Sequence, residues 1–346
     1  METEKIIVRG SNWIGDAVMT LPALAALRSL FPSAQIDILA RKWSAPVYSY
    51  CPDISNLIEY EKERGFGSLA SLRDMSAKIK RNGYQISIVF PNSFESALLF
   101  RLAGIPKVYG YNTDFRSAIL TKAIEVPRDK RSKHEVFYYL NLIEKLFGNG
   151  ASEWSDALKI RLAIPSEDVE EVKRLLSSMG YKSNRPLIGF SPSAAFGPAK
   201  CWPVENYSNL AVKLLEAFPE GKILVFGTDE DVEIGKRIIA SIGDGGIDLC
   251  GKTSLKQAIC AISCLDLMVT NDSGLMHIAA ACDIPIVALF GSTNPVTTGP
   301  WSDKAIVIRH ELPCSPCLSR ECPRDFICML GIGVQEVFEA CKKSLI

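Results

Sequence analysis

Residues 267–274 read Leu267-Met268-Val269-Thr270-Asn271-Asp272-Ser273-Gly274, and the segment 275–282 after them is rich in small residues. An apolar, β-branched run that ends in Asn-Asp-Ser-Gly describes a buried strand, a tight turn and a helix opening on that turn. A buried strand feeding a helix at its carboxyl end is the repeating unit of a parallel sheet covered on both faces. The N–H groups of Ser273, Gly274 and Leu275 then lie at the positive end of that helix, where an anion is stabilised. His277 follows within the first turn. Its imidazole is either a further contact to phosphate or sugar, or a packed residue under a capped helix; spacing alone leaves both open.

The same unit recurs in both directions. Strands are expected at 5–9, 35–40, 85–90 and 107–111, and again at 187–191, 222–227, 247–250, 267–271, 286–291 and 305–309. Helical periodicity fills gaps such as 17–30, 136–146, 166–180, 205–217 and 232–242. The fold class is therefore α/β: two Rossmann-like, doubly wound domains facing across a cleft, with ligands at the carboxyl ends of strands. The expected divisions are 1–181, 182–332 and a terminal segment 333–346, whose helix at 334–341 is expected to cross back onto the first domain. Lys182-Ser183-Asn184-Arg185-Pro186 is the expected hinge, because Pro186 and the polar run before it stop the preceding helix.

Length and composition fit this organisation. A chain of 346 residues is comfortable for two cores, and 47% hydrophobic with 23% charged residues is the balance of a globular protein. No apolar run approaches the roughly 20 residues a membrane-spanning helix needs. Met1-Glu2-Thr3-Glu4-Lys5 leads directly into the first strand, so no secretory signal is expected, and the 11 cysteines are expected to be thiols of a reducing compartment. The net charge of zero hides an asymmetry. Residues 1–150 carry 20 Lys and Arg against 15 Asp and Glu, and the remainder 19 against 24. Eight basic residues fall between Arg101 and Lys133, Arg116 and Arg128 among them, against three acidic ones. They form either a solvated surface or a dock for something anionic.

Other loops carry chemistry. After the first strand comes Arg9-Gly10-Ser11-Asn12-Trp13-Ile14-Gly15-Asp16, which is neither a P-loop nor a Gly-x-Gly-x-x-Gly fingerprint. It presents one carboxylate, Asp16, as a candidate general base or as the N-cap of the helix that follows. Ser191-Pro192-Ser193 closes another strand, and a loop of small residues leads through Gly197-Pro198-Ala199-Lys200 to Trp202-Pro203. Small residues let backbone approach a ligand, and Lys200 adds a point charge suited to phosphate. Asp229, after 222–227, stands where an acidic residue can hold ribose hydroxyls. Cys314, Cys317, Cys322 and Cys328 suggest a zinc site or a thiol-rich loop; their irregular spacing favours the loop, and no metal is expected.

Taken in order, Asn12-Trp13-Ile14-Gly15-Asp16, Phe190-Ser191-Pro192 through Lys200-Cys201-Trp202-Pro203, Asn271-Asp272-Ser273-Gly274 with His277, and the Cys-rich loop resemble the ADP-heptose:lipopolysaccharide heptosyltransferases. Asn92-Ser93-Phe94 and the run Gly110-Tyr111 to Arg116 look like the heptosyltransferase II subfamily. The resemblance covers essentially the whole chain. It implies a GT-B fold and inverting transfer of L-glycero-D-manno-heptose from ADP-heptose to the first heptose of the lipopolysaccharide inner core on Kdo2-lipid A. It also implies that the base matches Asp16 and that Lys200 is catalytic and binds the diphosphate. Ser193, Asp229, Asp272, Ser273, Gly274 and His277 would hold the donor. Asn12, Asn92, Arg116 and Arg128 would hold the acceptor. ADP-heptose is a substrate, so no cofactor is expected, and transfer is expected to be independent of metal. The expected location is cytoplasmic, peripheral at the inner membrane, with no nucleic-acid partner. Rival readings are another heptosyltransferase of the family, adding the first or a later heptose, a nucleotide-sugar 2-epimerase, and a non-catalytic nucleotide-binding protein.

Overall fold

The structure is a computed structural model that describes residues 4–61, 67–148, 159–183 and 185–345. The chain forms two compact units, Met1–Ala163 and Ile164–Ile346.

In the first unit β1 (Lys5–Arg9) leads to α1 (Ile14–Met19) and α2 (Leu21–Leu30), then β2 (Gln35–Arg41), α3 (Ala45–Ser49) and β3 (Asn56–Tyr60). Next come α4 (Gly67–Lys80), β4 (Ile86–Val89), α5 (Phe94–Leu102), β5 (Lys107–Tyr111), β6 (Lys122–Ile124) and α6 (Glu135–Phe147). The six strands are parallel in the order β3-β2-β1-β4-β5-β6. Ile6, Ile7, Val8, Ile38 and Ile88 are fully buried at its centre, as strands covered on both faces require.

The second unit starts with α7 (Ser166–Ser178) and β7 (Leu187–Ser191), then α8 (Val204–Ala217), β8 (Lys222–Val225), α9 (Val232–Ala240) and β9 (Gly246–Asp248). It continues through α10 (Leu255–Ile262), β10 (Leu267–Asn271), α11 (Gly274–Ala281), β11 (Ile286–Leu289), α12 (Pro295–Thr298), β12 (Ala305–Ile308), α13 (Ile327–Leu330) and α14 (Val334–Leu345). Its parallel order is β12-β11-β10-β7-β8-β9. Both sheets therefore reverse direction beside their first strand, between β1 and β4 and between β7 and β10. Loops at such a switch point splay apart and leave a crevice at the strands' carboxyl ends. The Asn12–Asp16 and Asn92 loops flank one switch point. The Ser193–Lys200 and Asn271–Gly274 loops flank the other.

The α/β class and the doubly wound sheets are as the sequence predicts; several boundaries differ. The division falls at Ala163 and Ile164 rather than at 181 and 182, because α7 packs on α10, where Lys256 and Asp168 pair at 3.0 Å. The expected hinge at 182–186 is thus a connection inside the second unit, and its Asn184 lies outside the described residues. The final helix, expected to cross back onto the first domain, belongs to the second unit and packs on α8, β10 and β11. Its Val337 and Cys341 are buried in the core that also holds Trp202 and Tyr207. The helix expected over 17–30 is two helices meeting at Thr20, where Pro22 in the next turn has no N–H to continue the ladder. Among the described residues no helix is long and apolar enough to cross a membrane.

Candidate active site

The cluster in the second unit is wired through Asn271, the last residue of β10. Its Oδ1 accepts from the backbone N–H of Trp202 (3.1 Å) and the hydroxyl of Tyr207 (3.2 Å), and its Nδ2 donates to Pro192 O (2.8 Å). One fully buried amide thereby fixes the loop after β7 to the turn after β10. A buried polar group in apolar surroundings holds its place strongly when its partners are satisfied. Trp202 is 1% exposed and donates its indole N–H to Ile332 O, which ties the same loop to the chain before α14. Motif spacing does not single out Asn271, Trp202 or Tyr207 as organisers. The available signal is Asn271 closing an apolar strand and Trp202-Pro203 opening a helix.

Lys200 closes a short 3-10 turn, and its ammonium donates to Asp272 Oδ2 at 2.6 Å while lying 4.8 Å from the centre of the Phe196 ring. Asp272 is 4% exposed, so it stands beneath the lysine as a buried counter-charge, whereas Ser273, Gly274 and Leu275 remain half-buried. Ser273 is the N-cap of α11, with extended backbone (φ −141°, ψ 169°) and no capping bond from its side chain. Its hydroxyl instead meets those of Thr270 (3.2 Å) and Ser191 (3.4 Å). The first N–H groups of α11 thus open beside a lysine, an arrangement that stabilises an anion. Ser193 is half-buried next to Pro192 in the facing loop. His277 is 4% exposed, packed into the unit from α11.

Gly197 explains the shape of the lysine loop. Its φ is +148°, and a Cβ there would lie 2.6 Å from Arg320 O, so only glycine lets the two backbones approach. Arg320 O accepts from Ala199 N (3.1 Å), and Arg320 Nε donates to Phe196 O (2.7 Å). Asp229 is exposed in the 3-10 turn Asp229–Asp231, where Asp231 rather than Asp229 caps the turn through Thr228. The Asp229 carboxyl leans over Gly251, whose absent side chain leaves it room.

In the first unit the N-cap of α1 is Trp13 (φ −91°, ψ 143°), and Asp16 is the third helical residue. The capping reading of Asp16 therefore fails: a cap needs extended backbone outside the helix. Asp16 is half-buried, and its charge helps hold the Tyr48 and Tyr139 hydroxyls well above the ordinary phenol range, burial being the larger cause. Tyr48 accepts from Ser11 N at 2.8 Å, and the Tyr139 and Ser11 hydroxyls meet at 3.3 Å, so this aspartate faces a floor of neutral, immobile hydroxyls. Arg9 holds Asn12 Oδ1 (2.7 Å), and Trp43 Nε1 holds Asn12 O (2.7 Å). Burial, then the neighbouring Arg41, lowers the Arg9 guanidinium to about 10.

Asn92 is exposed after β4, its Oδ1 accepting from Tyr138 at 2.8 Å, and Arg128 is exposed in the segment before α6. Arg116 is different. It is fully buried and donates to the backbone carbonyls of Tyr111 (2.8 Å), Pro91 and Ser93. Enclosed among these carbonyls, its side chain organises the Asn92 loop, and with 0% exposure it presents no open surface, whereas Arg128 does.

Residues 72–327 match glycosyltransferase family 9 (heptosyltransferase). Lipopolysaccharide heptosyltransferase 2 of Salmonella typhimurium is 35% identical over 88% of this chain and 88% of its own length. The solved structure of ADP-heptose LPS heptosyltransferase II of E. coli superposes with a TM-score of 0.83 at 31% identity, covering 99% of this chain and 98% of that one. That of a family 9 glycosyl transferase from Veillonella parvula gives 0.86 at 26% identity, covering 100% and 98%.

Proposed function

The chain belongs to glycosyltransferase family 9, the heptosyltransferases, with a GT-B fold, and we propose that its donor is ADP-heptose and its acceptor heptosyl-Kdo2-lipid A. The observation that carries this reading is Lys200 held 2.6 Å from Asp272 beside the opening turn of α11. Lys200 and the N–H groups of residues 273–275 would receive the diphosphate, with Ser193 at the loop and Asp229 at the ribose. ADP leaves as a stable anion, so the leaving group needs positive electrostatics rather than the acid that a glycosidase supplies. Asp16 takes the proton of the acceptor hydroxyl as that oxygen attacks the anomeric carbon and the bond to phosphate breaks, inverting configuration. The reaction as written uses no cofactor. Asn12, Asn92 and Arg128 are the acceptor contacts in this reading, Arg128 facing anionic Kdo or phosphate groups. An acceptor anchored in lipid would place the chain peripherally at the cytoplasmic face of the inner membrane.

The experiment is direct. ADP release is followed with ADP-heptose and either mono-heptosylated or unheptosylated Kdo2-lipid A, with EDTA present. Release only with the mono-heptosylated acceptor is expected. Release with the unheptosylated acceptor alone moves the chain to the first-heptose step, and loss of release on adding EDTA contradicts a metal-free transfer.

A further inference from the structure

Lys200 brings no uncompensated charge to the site proposed for the diphosphate. Its ammonium has the Asp272 carboxylate at 2.6 Å, so the pair as a whole is close to neutral. The opening turn of α11 adds about half an elementary charge. A diphosphate diester is negative on each phosphate, and its distal phosphate gains a further charge as the bond to the sugar breaks. The cradle formed by Lys200 and α11 is therefore short of positive charge at the atom where the reaction most demands it.

The segment 309–327, between β12 and α13, supplies a second cation. Ser315 Oγ donates to Gly291 O (2.6 Å) and Leu318 N to Ser292 O (2.8 Å), which fixes the segment to the end of β11. Arg320, exposed in this segment, is then held at two points on the lysine loop. Its carbonyl accepts from Ala199 N (3.1 Å), and its Nε donates to Phe196 O (2.7 Å). Its Cζ lies 5.9 Å from the centre of the Phe196 ring, the same ring that Lys200 Nζ approaches to 4.8 Å. Among the described residues the terminal amino groups of Arg320 have no acceptor, and no carboxylate pairs with them. A guanidinium whose Nε is engaged and whose fork is open is prepared for a bidentate grip on phosphate.

Sheet order indicates which phosphate. Asp229, at the ribose in the proposed reading, follows β8, on one side of the switch point between β7 and β10. Arg320 is fixed to the end of β11, on the other side. A donor laid from Asp229 across the opening of α11 reaches Arg320 with its distal phosphate. We infer that Arg320 grips the distal phosphate of the nucleoside diphosphate, supplying the positive charge that Lys200, offset by Asp272, does not. This inference rests on the donor reading proposed above.

The test compares ADP with AMP, which lacks the distal phosphate, by calorimetric binding to the whole chain. Arg320→Gln should weaken ADP binding by about 10-fold or more and leave AMP binding and the melting temperature unchanged. Arg320→Lys, a point charge without the fork, should recover part of the ADP affinity. Unchanged ADP affinity in Arg320→Gln overturns the contact. Equal losses for ADP and AMP also overturn it, since Arg320 would then only brace the loop. Wild-type chain that binds neither nucleotide fails at the donor reading itself and takes this inference with it, so the two failures are told apart by the wild type alone.

Discussion

The ammonium of Lys200 and the carboxylate of Asp272 stand 2.6 Å apart with 13% and 5% of their side chains exposed, joining the loop after β7 to the turn after β10. Breaking such a pair by removing one partner leaves a buried charge uncompensated, at a cost of about 3–5 kcal/mol. Lys200→Met should therefore lose both ADP affinity and stability, whereas Lys200→Met/Asp272→Asn should recover most of the stability and none of the affinity. Denaturant unfolding and calorimetric ADP binding on the two variants measure this. A double variant no more stable than the single one would mean the pair is not coupled.

Asp16→Asn keeps the size of the side chain and removes its basicity. Turnover should fall by on the order of 10²–10⁴ with ADP binding unchanged. Near-normal turnover assigns the base elsewhere.

Arg116 and Arg128 should part company. Arg116→Ala strands the carbonyls of Pro91, Ser93 and Tyr111 without donors, each worth about 1–3 kcal/mol when buried. A lowered melting temperature is expected from it. Arg128→Glu should leave the melting temperature alone and raise the acceptor KM. Equal effects of the two substitutions on KM would restore Arg116 as an acceptor contact.

Burial pushes the thiols of Cys51, Cys250 and Cys282 up from 9.0 to about 12. At pH 8 they hold their protons and should resist iodoacetamide until the chain unfolds, as peptide mapping would reveal. The same shift sets a sign for stability. Above pH 9 the unfolded chain releases these protons and the folded chain keeps them, so their contribution to stability is complete below pH 9 and lost as pH rises towards 12. Unfolding free energy should fall across that window. Rapid alkylation of the native chain at pH 8 would contradict the burial.

Gly197→Ala places a methyl group 2.6 Å from Arg320 O at a backbone angle that alanine rarely adopts. Donor affinity should drop although no donor contact is removed. Unchanged ADP binding would show that the loop tolerates the shift.

The sheets were legible in the sequence because their central strands are unbroken apolar runs such as Ile6-Ile7-Val8 and Leu267-Met268-Val269, which only a doubly covered sheet accommodates. β3 and β6 were not, since Asn56-Leu57-Ile58-Glu59-Tyr60 and Lys122-Ala123-Ile124 are half-exposed edge pieces with little periodicity. Asp272 and Lys200 announced themselves by lying in strand–turn–helix order, whereas the organising role of Asn271 did not. What spacing could not carry is direction. Arg116 and Arg128 look alike in a charge count, yet one is enclosed by carbonyls and the other faces solvent. Nor does order along the chain reveal that α7 and α14 pack on the second unit, since an amphipathic face does not name its partner.

Asn271 draws together Pro192, Trp202 and Tyr207, residues 64 to 79 positions away in the chain. Contacts of that range form late, because long loops must close before any of them can exist. The lysine loop therefore gains its shape only when β10 has been laid beside β7, and a chain folded short of that step lacks the site proposed for the diphosphate. ADP should consequently recognise only the finished second unit. Its binding would serve as a folding probe, raising the melting point of that unit by mass action and passing over every intermediate on the way to it.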